Sequence, residues 1–149
     1  MPGYKLHLAG GGIAVGGALA ITHHYGLAVF DPFTASALMV VGLLAAIFPD
    51  VDTNSKGQHL FYALLLVVDI VLMVQERYKW AAILGFVAML PAVSRHRGFT
   101  HRWWAALLIP ASICALPWWF YQLPWQAMLP WLAAAVLGYT SHLVLDAIA

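Results

Sequence analysis

Six apolar runs divide this chain, at about 5–23, 34–48, 59–75, 79–93, 101–121 and 125–147, with short polar or turn-forming breaks between them. They constrain the fold more than any other feature. Inside a bilayer no water satisfies a backbone N–H or C=O, so each run must close its own hydrogen bonds as a helix. Charge content points the same way. Only 9% of the 149 residues are charged and mean hydropathy is +0.83. A soluble domain carries about 25% charged residues, and a surface this poor in charge belongs in lipid. The expected fold is therefore all-α: a polytopic membrane bundle of about six helices, forming a single domain over 1–149. The second and fourth runs are short against the ~20 residues that span a bilayer.

Local signals set the breaks. "FDPF" (30–33) and "QLPW" (122–125) read as turns before new helices, with proline as the punctuation. Trp80, Trp103, Trp104, Trp118, Trp119 and Trp125 fall near predicted helix ends, where amphipathic rings favour the membrane interface. Lys5 followed by an apolar stretch has some likeness to a signal peptide, but the run is rich in glycine and is expected to stay as the first helix. Gly12 and Gly16 form a G-x-x-x-G pair, which lets helices approach closely in lipid and predicts a central first helix. No Lys-Ser/Thr follows these glycines and no strand precedes them, so they do not read as a phosphate loop. Cys114, the single cysteine, cannot form an intrachain disulfide.

With six spans, the N-terminus, the second and fourth loops and the C-terminus share one side. That side holds Lys5, Lys56, Arg95, Arg97 and Arg102, against Arg77 and Lys79 on the other. Cytoplasmic loops carry the excess of Lys and Arg, so the first side is expected to face the cytoplasm of an inner-membrane protein.

Chemistry-bearing residues gather on that same side. His7 opens the first helix, and "FPDVD" places Asp50 and Asp52 after the second. "SRHRGFTH" places His96 and His101 before and at the start of the fifth, and His142 and Asp146 lie near the end of the sixth. Thus His and Asp from four separate segments meet at one membrane face. His142 and Asp146 are four apart, so they share a helix face and can grip one ion. Thr100 is a plausible N-cap that would aim His101 from the first turn of the fifth helix. A set of four His and three Asp suits one or two divalent ions, zinc first, with manganese or iron next. Arg97, between the two loop histidines, suits an anionic substrate oxygen. His23 and His24 fall at the opposite face and read as structural. Asp69, mid-way along the third helix, has no evident partner.

"FPDVD", "HRGFTH" and "GYTSHLVLD", in that order and with the early His7, resemble the YdjM-like membrane-bound metal-dependent hydrolases, over about residues 7–147. The resemblance implies that His7, Asp50, Asp52, His96, His101, His142 and Asp146 form the metal centre of an inner-membrane enzyme. The helical bundle with H-x-x-x-D also has a distant likeness to zinc-dependent phospholipase C. Two features depart from the family pattern: Arg102 stands where relatives have Ser, and relatives continue past the last Asp with a Thr and a Gly/Pro-rich segment.

The expected function is hydrolysis of a phosphoester in a lipid or another small membrane-proximal substrate by a metal-activated water. Asp52 or Asp50 would act as general base, with Arg97 steadying developing charge. Two alternatives are a non-catalytic metal-binding scaffold and a metal-free lipid phosphatase. "SRHRGFTH" matches S-R-x5-H of the latter, but Ala105 stands where its Asp is expected and no K-x6-R-P precedes it. The lipid bilayer is the expected partner. Nucleic acid is disfavoured, because the basic patch is small and topology accounts for it.

Overall fold

The computed structural model describes residues 3–52, 56–93 and 99–148, with backbone alone at Asp52 and residues 90–93. Six helices follow one another: α1 (Tyr4–His24), α2 (Pro32–Ile47), α3 (Lys56–Val74), α4 (Tyr78–Val93), α5 (Ala105–Tyr121) and α6 (Trp125–Ile148). Two 310 turns, Phe48–Asp52 and Phe99–His101, join them at one end of the bundle. No strand occurs among the described residues.

The breaks have local causes. Gly26, with φ of 64°, takes the left-handed conformation that closes α1. Asp31 caps α2, its carboxylate accepting from the N–H groups of Phe33 and Thr34 at 3.0 Å each, and Pro32 occupies the first helical position. The side-chain hydrogen bond from Thr34 also holds the Asp31 carboxyl below the usual carboxylate range. Gln122 ends α5 with φ of 52°, and Pro124 precedes α6.

Among the described residues, four segments are long and apolar enough to cross a membrane: α1, Pro32–Asp50 (α2 with the start of its 310 turn), α3 and α6. The second segment is thus longer than its sequence run suggested, because α2 starts at Pro32 and the 310 turn carries it on to Asp50, 19 residues in all. The fourth helix is short, as expected, and α5 proves short as well, at 17 residues. The outward side chains of α3, among them Leu66, Val67, Ile70 and Val74, are exposed and apolar, as a lipid-facing surface requires.

Helices α1, α2 and α6 form the tight part of the bundle. A Cβ added at Gly138 would run into the backbone carbonyl of Gly42, so α2 and α6 meet backbone to backbone. They run parallel and in register. Leu38 clusters with Ala134, Gly42 meets Gly138, and Ala46 hydrogen-bonds His142. α1 runs antiparallel to α2, with Val15 against Gly42 and Gly11 against Ala46. In lipid such contacts depend on small residues, since bringing apolar surfaces together removes no water.

This corrects the expectation for the first helix. A Cβ added at Gly12 or Gly16 would meet only a side chain, Leu43 at 3.7 Å or Met39 at 3.2 Å. Among the described glycines the closest approach to another helix's backbone belongs to Gly138 against Gly42, so the axis of the bundle is α2 with α6 and α1 lies against it. Trp80 also differs from a simple interface residue: it stacks on Tyr121 with ring centroids 4.6 Å apart. Trp103, Trp104, Trp118, Trp119 and Trp125 are exposed near helix ends, as expected.

Candidate metal centre

Stepping four residues at a time along the tight helices leads to one point. On α1, Val15 and Gly11 lead to His7. On α2, Gly42 and Ala46 lead to Asp50 in the following 310 turn. On α6, Ala134 and Gly138 lead to His142 and then Asp146. A four-residue step keeps to one helix face, so the packing stripe and the polar cluster are continuous. The small residues bring the backbones close, and the next position on each stripe carries His or Asp.

The cluster is compact. His142 Nε2 lies 3.2 Å from Asp146 Oδ2 and 3.7 Å from Asp50 Oδ1. His101 Nε2 lies 3.5 Å from Asp50 Oδ1 and 3.7 Å from Asp146 Oδ2. His7 Nε2 lies 3.5 Å from Asp146 Oδ1 and 3.8 Å from Asp50 Oδ2. His7 and His142 stack with ring centroids 3.8 Å apart. Asp50, His101, His142 and Asp146 each offer one ligand atom within 4.8 Å of all the others. Ligands about 2.0–2.2 Å from a zinc ion sit roughly 3.3–3.6 Å from one another at tetrahedral angles. The observed separations bracket that range.

Burial and hydrogen bonding also suit a cation. His7 and His142 are 1% and 0% exposed. His142 Nδ1 lies 2.8 Å from the carbonyl oxygen of Ala46. A carbonyl only accepts, so Nδ1 carries the proton, and in the neutral ring Nε2 keeps a lone pair directed at the carboxylates. That carbonyl stands where α2 gives way to the 310 turn and i→i+4 bonding changes to i→i+3. Both nitrogens of His7, Nε2 of His142 and both carboxylate oxygens of Asp146 are buried without a hydrogen-bond partner among the described residues. Buried polar atoms are normally satisfied. Carboxylate oxygens and imidazole lone pairs converging without hydrogen-bond partners fit a divalent cation.

His101 reaches the cluster by a route the sequence did not suggest. Helix α5 begins at Ala105, and Thr100 lies in the preceding 310 turn rather than at its N-cap. The cause is Tyr139 on α6, whose hydroxyl donates to the Thr100 carbonyl at 2.6 Å. In a helix that carbonyl would accept from the N–H of Trp104. With Tyr139 there instead, the chain runs through i→i+3 bonds, Arg102 to Phe99 at 3.0 Å and Ala105 to Arg102 at 2.9 Å. Tyr139 is 1% exposed and acts as a positioning residue that the motif reading passed over. Its visible signal was its place three residues before His142 within "GYTSHLVLD".

Of the seven expected ligands, the structure brings together His7, Asp50, His101, His142 and Asp146. His96, Arg95 and Arg97 lie outside the described residues, and so does the side chain of Asp52, whose backbone closes the 310 turn. His23 and His24 are exposed at the other end of α1. Asp69, in the middle of α3, buries one carboxylate oxygen without a hydrogen-bond partner among the described residues and stands apart from the cluster.

Comparison with known proteins agrees with these features. A family model described as YdjM inner membrane protein matches residues 1–149. No curated protein and no solved structure matches the chain.

Proposed function

The chain belongs to the YdjM inner membrane protein family, and on that footing we propose that it is a metal-dependent hydrolase acting on a phosphoester of a lipid or another membrane-proximal substrate. The observation that carries this is the set of buried, unsatisfied His and Asp atoms around one point, with the tautomer of His142 fixed by Ala46. Asp50, His101, His142 and Asp146 would hold the ion, zinc by preference, with His7 as a further ligand. Bound there, a divalent ion supplies Lewis acidity, lowering the pKa of water towards neutrality and polarising the phosphoryl group. Asp52, two residues beyond Asp50, takes the proton from the attacking water. Arg97 balances the charge that develops on the phosphoryl oxygens. His96 would join the ligand set and supply a further imidazole for a second ion. The count of five Lys and Arg on the cluster's side against two on the other supports a cytoplasmic face for this chemistry.

The test is elemental analysis of the purified protein with a chelation assay. Wild-type protein should hold stoichiometric divalent metal, and His142→Ala should lose it. Losing a ligand should exceed the 10–100-fold affinity cost, in order of magnitude, of losing a supporting second-layer partner. Phosphoester cleavage should stop with chelation and return with zinc or manganese. Protein that stays metal-free after reconstitution refutes the proposal, as does cleavage that survives strong chelation.

A further inference from the structure

An apolar cavity of about 540 Å³ is walled by α2, α3, α4, α5 and α6. No charged residue lines it. Its size falls within the roughly 300–1,000 Å³ typical of ligand sites, but it lacks the few convergent polar groups that orient a polar ligand. The hydroxyl of Tyr139, at its wall, is committed to Thr100. Such a lining selects hydrocarbon.

Placement narrows the occupant further. One end is walled by Phe48, Phe61 and Tyr139. Phe48 precedes Asp50 by two residues and Tyr139 precedes His142 by three, so the backbones that present the ligands also wall the cavity. The other end reaches Leu123, Met128 and Trp131. From Tyr139 to Met128 along α6 is about 16 Å at the helical rise. Half of a hydrocarbon core of roughly 30 Å is about 15 Å. The cavity therefore has about the depth of one leaflet, and at one end its walls come from the same backbone segments that carry Asp50 and His142.

We propose that this cavity seats one acyl chain of the substrate, which makes the substrate a phosphate-headed lipid with its head group at the His/Asp cluster. This rests on the hydrolase reading above. The head group meets the ligands at the membrane face, one chain is drawn down between α3, α4, α5 and α6, and any second chain stays in the bilayer.

The test uses a phosphatidic acid with 16-carbon chains, one of them ending in a diazirine, in nanodiscs holding the full chain. Photolabelling should map to Ile113, Cys114 and Met128. It should fall at least fivefold in Ala135→Phe and Ala45→Phe, which fill the cavity, and stay unchanged in Val71→Phe on the exposed face of α3. Label confined to outward residues such as Leu66 and Val71, and indifferent to filling, overturns the proposal. Should the filled variants fail to fold, rates on wild-type protein decide. Cleavage of the 16-carbon lipid should exceed that of a four-carbon analogue at least tenfold in kcat/KM, and equal values overturn the proposal. Labelling is read with and without metal. Absence of bound metal therefore refutes the hydrolase reading without touching the chain's placement. Cavity labelling of metal-loaded protein with no phosphate release refutes the substrate assignment.

Discussion

The two sides of the bundle are held differently. On one side α1, α2 and α6 meet through small residues, with Gly42 against Gly138 and Gly11 against Ala46. On the other, α3, α4 and α5 meet through large side chains around the 540 Å³ cavity. Pro110 and Pro117 lie within α5 and line that cavity. Each removes a helical hydrogen bond and crowds the carbonyl four residues earlier, which disfavours a straight, closely packed helix. One side thus holds polar atoms within ångströms of each other, and the other leaves space. A metal centre needs the first property and a chain-binding site the second. The bundle supplies both side by side.

Five substitutions probe this contrast. The largest effect is expected from Gly138→Val. Its Cβ would meet the Gly42 carbonyl, and backbone cannot move aside as a side chain can. Overpacking costs about 1–3 kcal/mol and sometimes more, so the upper end or outright failure to fold is expected in unfolding titrations. A stable, metal-binding Gly138→Val protein would show that the α2–α6 contact is dispensable. Next, Leu38→Ala on the tight side should cost about 2 kcal/mol or more. Leu84→Ala, which enlarges an existing cavity, should cost less than half as much, because its neighbours lose fewer contacts. Equal losses would erase the distinction between the sides.

Tyr139→Phe removes one buried hydrogen bond and should cost about 1 kcal/mol. It should also weaken metal binding by about 10–100-fold, as losing a supporting partner does, because the His101 turn is no longer held. A titration of bound metal separates these effects, and unchanged affinity would remove Tyr139 from the site. The smallest effect is expected at Gly17, where an added Cβ meets nothing within 4 Å. Gly17→Ala should leave stability unchanged or raise it by up to about 1 kcal/mol through helix propensity. Marked destabilisation there would mean that the outer face of α1 is covered by something else.

Much of this was legible in the chain. Runs of apolar residues must become helices in lipid, and parity of the helix count alone sends His7, Asp50, His101, His142 and Asp146 to one face. The boundaries at Asp31–Pro32 and Gln122–Pro124 follow from local chemistry. The bundle's axis was harder to read, because G-x-x-x-G at Gly12 and Gly16 is a stronger pattern on paper than single glycines in two distant helices. The route of His101 was also hidden, since it depends on a hydrogen bond between residues 39 apart.

The sequence by itself determined an all-helical membrane fold and the face where His and Asp collect, because lipid leaves the backbone no other choice and helix parity fixes sides. Tertiary structure alone decided which helices touch, which imidazole nitrogen faces the carboxylates, and that a cavity opens within the bundle. Those depend on the register between α2 and α6, and register is set by two glycines nearly a hundred residues apart, a relation that no local pattern encodes.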